Sequence, residues 1–310
     1  MMTRSLGRSG LQVSTVGLGC NNFSGRLDFE GSRAVVHKAL DLGITLFDTA
    51  DMYGINGGSE EYLGKLLGSR RKDVVVATKF GFISHDPPVA RASRGYIMEA
   101  VEGSLKRLNT DWIDLYQVHR YDDTTPIEET LRALDDLVRQ GKVRYIGCSN
   151  FAPWKVVDAQ WTAKSLGLER MISCQDEYSL LARGAEDQLL PAMASMGLGL
   201  LPFFPLANGM LAGNYQRGAP LPAGRRLSKR PEMVARVFTD ANWDKVERLQ
   251  AYAQAHGHTL LELSIAWLAS HPLVASVIAG ASKPEQVEQN VLAAQWTLTP
   301  QQRAEVDQLT

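Results

Sequence analysis

"ITLFDTADMYG", residues 44–54, begins as an apolar, strand-like run and ends in two aspartates and a tyrosine. Side chains alternate along a strand, so Ile44, Leu46 and Asp48 share one face. The same parity joins Val75, Ala77 and Lys79 in "VVVATKF" (74–80), and Ile113, Leu115, Gln117 and His119 in "IDLYQVH" (113–119). Three strands therefore end in an ionisable group on one face. If that face points inward, Asp48, Lys79 and His119 meet at the mouth of a closed parallel barrel, whose strand ends converge on one side. Asp114 has the opposite parity and is read as structural.

Five further strand candidates complete the pattern: "STVGLGC" (14–20), "VRYIGCSN" (143–150), "MISCQDEY" (171–178), "LGLLPFF" (198–204) and "SVIAGAS" (276–282). Amphipathic helical segments lie between them. In "PIEETLRALDDLVRQGK" (126–142), Pro126 suits a first turn and Gly141 a C′ position, while Ser93 offers an N-cap to "SRGYIMEAVEGSLKRLN" (93–109). Eight strands alternating with helices predict an α/β fold, a (β/α)8 TIM barrel, as one domain over residues 1–310. "RSLGRSGLQVS" (4–14) reads as a hairpin turning at Ser9-Gly10 and closing the barrel's bottom. No G-x-G-x-x-G follows an early strand, which removes support for a Rossmann fold. The segment from Leu206 to about Asn242 is long and rich in Gly, Pro and Arg, as expected of a functional βα loop or lid at the C-terminal face.

Bulk properties narrow the function. With 33 basic and 34 acidic side chains, net charge −1 and no like-charge block, nucleic acid is not an expected partner. Cys20, Cys148 and Cys174 show no C-x-x-C spacing and read as reduced thiols rather than a disulfide framework or a zinc site. No apolar run approaches the roughly 20 residues that span a bilayer, and the N-terminus lacks a signal-peptide core, so a soluble cytoplasmic protein with no membrane partner is expected.

"FDTADMYG" with "SEEYLGKLL", then "VVVATKFG", "IDLYQVHR" and "IGCSN", resemble in order the signatures of the aldo-keto reductases. The likeness runs from the hairpin nearly to the C-terminus. It implies a barrel that reduces carbonyls with a nicotinamide cofactor and no metal, and its catalytic tetrad falls on Asp48, Tyr53, Lys79 and His119 without substitution.

The chemistry is consistent with those residue types. Hydride arriving at a carbonyl carbon leaves negative charge on oxygen, which needs a proton donor and a fixed polar group. Tyr53 can donate and His119 can orient the carbonyl. A tyrosine, with an ordinary pKa of roughly 10, is a reluctant acid, and easing its proton loss by two to three powers of ten takes about 3 to 4 kcal/mol. An ammonium about 4 Å away at an effective dielectric of about 20 supplies that much. Lys79 fills this role only if charged, and a buried lysine stays charged beside a carboxylate, here Asp48. Asp51 is read as a loop cap or solvated turn residue.

Ser149, Asn150 and Gln175 offer amide and hydroxyl partners, and the resemblance gives them the nicotinamide carboxamide, although Asn150 also suits a cap for the helix near "PWKVVDAQ" (153–160). "FPLANGMLAGN" (204–214) resembles the loop along the pyrophosphate, which carries over Phe204, Pro205, Leu206, Gly209 and Leu211; Gly209 and Gly213 serve equally as loop glycines. "GASKPEQVEQN" (280–290) resembles the adenosine-phosphate segment and assigns Gly280, Ser282, Lys283, Gln286 and Asn290. A lysine at a helix N-terminus favours a 2′-phosphate, hence NADPH/NADP. Ser282 and Gln286 stand where some relatives carry positive charge, which leaves NADH possible.

Asn22, Phe23, Met52, Phe82, Tyr121 and Phe151 are the candidates for a partly apolar wall around a small-molecule carbonyl substrate. His85, His256, His258 and His271 lack metal-ligand spacing and read as surface or packing residues. The expected activity is NADPH-dependent reduction of aldehydes, with ketones in reach. A second reading is a redox-sensing, cofactor-binding regulatory subunit, because potassium channel beta subunits resemble the same family; the absence of an N-terminal docking extension weighs against it. An α/β barrel isomerase or phosphate-processing enzyme fits the fold but not the motif order. The sequence leaves substrate, oligomeric state and reaction direction open.

Overall fold

The computed structural model describes residues 1–82, 91–221, 227 and 231–310. Strands β1 (Thr3–Ser5) and β2 (Gln12–Ser14) form an antiparallel hairpin with Arg4 opposite Val13. Its turn falls at Ser9-Gly10: the Ser9 hydroxyl donates to Leu6 O at 2.7 Å and accepts from Leu11 N at 3.2 Å. Leu6 and Val13 are fully buried and pack among barrel residues Leu46, Val75, Ala77, Leu115, Leu201, Ala275 and Ile278, so the hairpin is the expected plug. Gly7 has φ +58°, and a Cβ there would lie 2.5 Å from Ile172 O, a clash that only glycine avoids.

The barrel strands are β3 (Val16–Gly19), β4 (Leu46–Asp48), β5 (Val75–Phe80), β6 (Ile113–Val118), β7 (Val143–Ser149), β8 (Ser173–Gln175), β9 (Gly199–Leu200) and β10 (Val277–Gly280). They form one 8-stranded parallel sheet in the order β10-β3-β4-β5-β6-β7-β8-β9, one strand from each expected segment. The sheet curls until its edges meet. Leu200 bridges Val274 in parallel, with Leu200 N donating to Leu273 O at 2.7 Å and Ala275 N to Leu200 O at 3.0 Å. Hydrogen bonding to the β8 segment runs past Pro202, with Leu201 N donating to Cys174 O and Phe203 N to Asp176 O, both at 3.0 Å.

Helices α1 (Phe29–Asp41), α2 (Gly58–Leu67), α3 (Arg94–Leu108), α4 (Ile127–Arg139), α5 (Pro153–Leu166) and α6 (Leu189–Met196) each link consecutive strands. α7 (Pro231–Val237), α8 (Asp240–Ala255) and α9 (Leu260–Ala269) precede β10, and α10 (Pro284–Ala293) and α11 (Pro300–Asp307) follow it. Ser93 caps α3, accepting from Tyr96 N, and Gly141 takes φ +74° beyond α4. Pro126 departs from expectation: ψ of 133° keeps it one residue outside α4, as its N-cap.

Two apolar layers result. Leu46, Ala77 and Leu115 fill the barrel, whereas Phe47, Val76 and Tyr116 pack outward beneath the helices. The alternation fails at the lower ends: Ile44, which precedes β4, and Ile113, the first residue of β6, belong to the outer layer. Asp114 is structural as expected, pairing with Arg71 at 2.7 Å and Arg144 at 2.9 Å and accepting from Val76 N at 3.0 Å.

Candidate active site

The strand ends deliver three buried polar groups to one point: Asp48 closes β4, Lys79 lies near the end of β5, and His119 follows β6. Lys79 Nζ donates to Asp48 Oδ2 at 2.8 Å, to Thr49 O at 2.8 Å and to Tyr53 OH at 3.4 Å. Those contacts account for all three ammonium protons. Gln175 Nε2 donates to the other Asp48 oxygen at 2.8 Å, which fixes the carboxylate. Tyr53 is held by a tight turn: its N donates to Ala50 O, its O accepts from Ser59 N, and Gly54 follows at φ +76°, where a Cβ would lie 2.6 Å from Phe23 O. The His119 ring stands edge-on to Tyr53 with centroids 5.7 Å apart, and 4.9 Å from the Phe82 ring.

Above this cluster opens a cleft of about 740 Å³. One wall comes from Ser149, Asn150 and Gln175, where Ser149 Oγ donates to Gln175 O at 2.7 Å and Asn150 Nδ2 to His119 O at 3.0 Å. A second comes from the loop after β9, whose backbone is strained: Phe204, Ala207 and Asn208 have φ of 51°, 44° and 57°. Both amide atoms of Asn208 are buried without a partner on this wall. A third comes from the end of β10 and the start of α10, where Ser282 N and Oγ donate to Gln286 Oε1 at 2.7 and 3.1 Å.

Residues 15–310 match the Aldo/keto reductase family. The chain belongs to that family. As an aldo/keto reductase it is similar to a probable voltage-gated potassium channel subunit beta of Oryza sativa subsp. japonica, with 39% identity over 94% of this chain and 91% of that protein. It is also similar to the L-glyceraldehyde 3-phosphate reductase of Escherichia coli (strain K12), with 34% identity over 99% and 92% of the two chains. A probable aldo-keto reductase 1 of Glycine max is 34% identical over 92% of this chain and 82% of its own. Membership makes the protein an NAD(P)H-dependent oxidoreductase.

The reductase cleft fits a dinucleotide on its own terms, because the Asn208 amide is an unpartnered buried donor and acceptor on a wall built with left-handed backbone. Of the residues expected along it, Phe204, Pro205, Leu206, Gly209, Gly280, Ser282, Gln286 and Asn290 line the cleft with Ser149, Asn150 and Gln175. Leu211 does not; it is fully buried in the outer layer. Lys283 does not either: it is the exposed N-cap of α10, outside the cleft wall. Asn150, expected also as a helix cap, has φ +57° and spends its amide on His119 and Ser149, and the N-cap of α5 is Ala152.

On the substrate side, Asn22, Met52 and Phe82 line the cleft. Phe23 is instead core, and Tyr121 and Phe151 pack edge to face with centroids 5.0 Å apart outside the cleft, with Lys155 Nζ 3.7 Å from the Tyr121 ring. Tyr121 shares the parity of His119, but the pairing that continues β6 reaches only His119, whose N donates to Phe80 O at 2.8 Å, and alternation carries no information beyond that point. Arg26, Arg120, Glu177, Asn208, Tyr215 and Arg236 also line the cleft and were not expected there. Asn208 lies inside the quoted loop "FPLANGMLAGN", and its signal is an amide at a position that needs left-handed backbone.

Electrostatics separate the roles. Burial pulls the Lys79 ammonium toward neutrality, but Asp48 and Tyr53 outweigh it and raise its pKa, so it stays charged. His119 is pushed down to about 2 by burial, then by Lys79 and Arg120, so its imidazole is neutral. Its Nδ1 is buried without a partner, leaving Nε2 for the cleft. Asp51 differs from expectation: it is half-buried, caps nothing, and is raised to about 7 by burial and by Glu60.

No cluster of three or more His, Cys, Asp or Glu suited to a metal occurs among the described residues. His258 stacks on Trp296 at 3.8 Å and His271 packs against Tyr178, while His85 lies outside the described residues, as does part of the long loop from Leu206 to Asn242. The three cysteines are free and buried, and no described helix is long and apolar enough to cross a membrane.

Proposed function

We propose that the protein is a cytoplasmic, NADPH-dependent reductase of aldehydes, with ketones in reach, working through one barrel domain over residues 1–310. The observation that carries this is the Lys79 ammonium, buried and bonded at once to Asp48 and to the Tyr53 hydroxyl, beside a neutral His119 on the cleft floor. When bound, the nicotinamide supplies a hydride to the carbonyl carbon. Tyr53 gives the carbonyl oxygen its proton, and Lys79 favours that transfer by stabilising the phenolate left behind, by about 5 kcal/mol at an effective dielectric of about 20. A neutral His119 donates from Nε2 to the same oxygen and fixes its position. Ser149, Asn150 and Gln175 would hold the carboxamide, the loop from Phe204 through Asn208 the pyrophosphate, and Ser282, Gln286 and Asn290 the adenosine end. With Lys283 outside the cleft wall, NADH remains the alternative cofactor.

Loss of NADPH absorbance on mixing with 4-nitrobenzaldehyde tests the reading, with Tyr53→Phe as control. Turnover by the wild type alone supports it; equal turnover by both removes Tyr53 from the acid role. Similarity at 39% and 37% identity to two probable voltage-gated potassium channel beta subunits favours a second reading as a channel beta subunit. Tight NADPH binding without turnover, together with stoichiometric co-purification with a membrane protein, would favour that one.

A further inference from the structure

Among the described residues Arg120 has no counter-charge. Among the described residues its guanidinium meets no carboxylate and no hydrogen-bond acceptor; its contact is the face of Phe82, with Cζ 5.5 Å from the ring centroid. Two neighbouring cations are neutralised: Lys79, beneath the cleft, by Asp48 at 2.8 Å and Arg236, on its wall, by Glu177 at 2.7 Å. Arg120 is exposed, lines the cleft, and is bonded directly to His119, so their Cα atoms are about 3.8 Å apart.

We propose that Arg120 is a specificity-determining residue that binds an anionic group, phosphate or carboxylate, on a small aldehyde whose carbonyl lies at His119 and Tyr53. This rests on the reductase reading above and adds a substrate class to it. The guanidinium fork matches carboxylate and phosphate through paired N–H donors, and the Phe82 face offers it a cation–π contact at the cleft. Phe82, Met52 and Arg120 stand on the loops after β4, β5 and β6, whereas the expected cofactor residues come from β7, β8, β10 and the loops after β7, β9 and β10. The anion that Arg120 faces is therefore the substrate's rather than the dinucleotide's. Adjacency to His119 limits the substrate to one whose charge lies a few bonds from the carbonyl.

Two matched pairs test this: glyceraldehyde 3-phosphate against glyceraldehyde, and succinic semialdehyde against its amide. In the wild type kcat/KM for the charged member of at least one pair exceeds that for the neutral one by about tenfold or more, as a charge-assisted contact gives. The pair showing it tells phosphate from carboxylate. Arg120→Gln collapses that ratio, Arg120→Lys restores part of it, and added salt narrows it in the wild type. A ratio unchanged in Arg120→Gln overturns the proposal, as does NADPH binding weakened by the same factor, which would give Arg120 to the cofactor. If neither member of either pair turns over, the 4-nitrobenzaldehyde assay still judges the reductase reading by itself. Calorimetric titration of glycerol 3-phosphate and of succinate into the NADP-loaded protein then decides: binding lost in Arg120→Gln supports the anion subsite, and no binding, or binding indifferent to the substitution, overturns it.

Discussion

Lys79 Nζ lies 2.8 Å from Asp48 Oδ2 with both side chains buried, so the barrel holds an ion pair at its centre that neither member can leave alone. Removing one partner of such a pair strands the other charge, at a cost of about 3 to 5 kcal/mol. Asp48→Asn is therefore expected to lose that much stability in denaturant unfolding. Its kcat falls as well, because an ammonium without its carboxylate tends to lose its proton and with it the means to assist Tyr53. Unchanged stability would mean that water or Thr49 O alone satisfies Lys79.

Tyr53→Phe keeps the ring in its turn and removes the hydroxyl that Lys79 touches at 3.4 Å. Loss of a general acid is expected to lower kcat by about a hundredfold to ten-thousandfold. NADPH affinity, measured by nucleotide fluorescence, is expected to stay close to wild type, since the proposed role gives Tyr53 to the carbonyl and not to the cofactor. A drop in affinity of the same size as the drop in kcat would place Tyr53 on the cofactor instead.

His119 carries a pH signature opposite to that of an ordinary histidine. Its folded pKa of about 2 lies below the unfolded value of about 6.5, so the unfolded chain binds more protons as pH falls between them. It contributes nothing to pH dependence above about 6.5 and destabilises the fold progressively below that. The stability difference between wild type and His119→Asn should therefore shift against the wild type from pH 7 to pH 4. The kcat/KM profile of the wild type should show no inflection from this imidazole between pH 5 and 8. An inflection near 6.5 that His119→Asn abolishes would show a protonated working form.

The strand ends were legible because parity is a property of the backbone: Asp48, Lys79 and His119 follow from counting by two along three strands. The eight strands and the plug were legible for the same reason, since apolar runs and a turn sequence encode them directly. Loops carry no such rule. Tyr121 and Phe151, candidates for the pocket, pack edge to face against each other outside it, while Arg120, one residue beyond His119, reaches the cleft. Leu211 and Lys283 illustrate the same limit, because a resemblance gives the order of residues but not which side of a loop they face. The environment of Asp51 is illegible for the same reason: it lies in the loop beyond β4, where nothing in the sequence shows its burial or its approach to Glu60 and Arg107.

Asp176 moves stability the other way. Its carboxyl is raised to about 7 by burial, against the Cys174 thiol that donates to it at 2.9 Å and the Asn150 backbone. The unfolded carboxyl ionises near 4 while the folded one stays protonated until about 7, so stability is lost as pH rises through that window. Asp176→Asn removes the titration and keeps an oxygen for the Cys174 thiol. Its melting temperature relative to wild type should rise from pH 5 to pH 8. A difference that is flat with pH would mean that Asp176 is already ionised in the folded protein.

Asn208 tests the cleft as a cofactor site without any turnover. Its φ of 57° suits glycine as well as asparagine, so Asn208→Gly deletes the unpartnered amide while leaving the loop conformation accessible. If that amide waits for the dinucleotide, NADPH affinity falls by about tenfold, the equivalent of one lost hydrogen bond, while the melting temperature of the unliganded protein hardly moves. If the amide is only a buried defect of the loop, removing it relieves an unsatisfied group, and the unliganded protein gains stability with no change in NADPH affinity. The two outcomes move different observables, so one titration and one melting curve separate them.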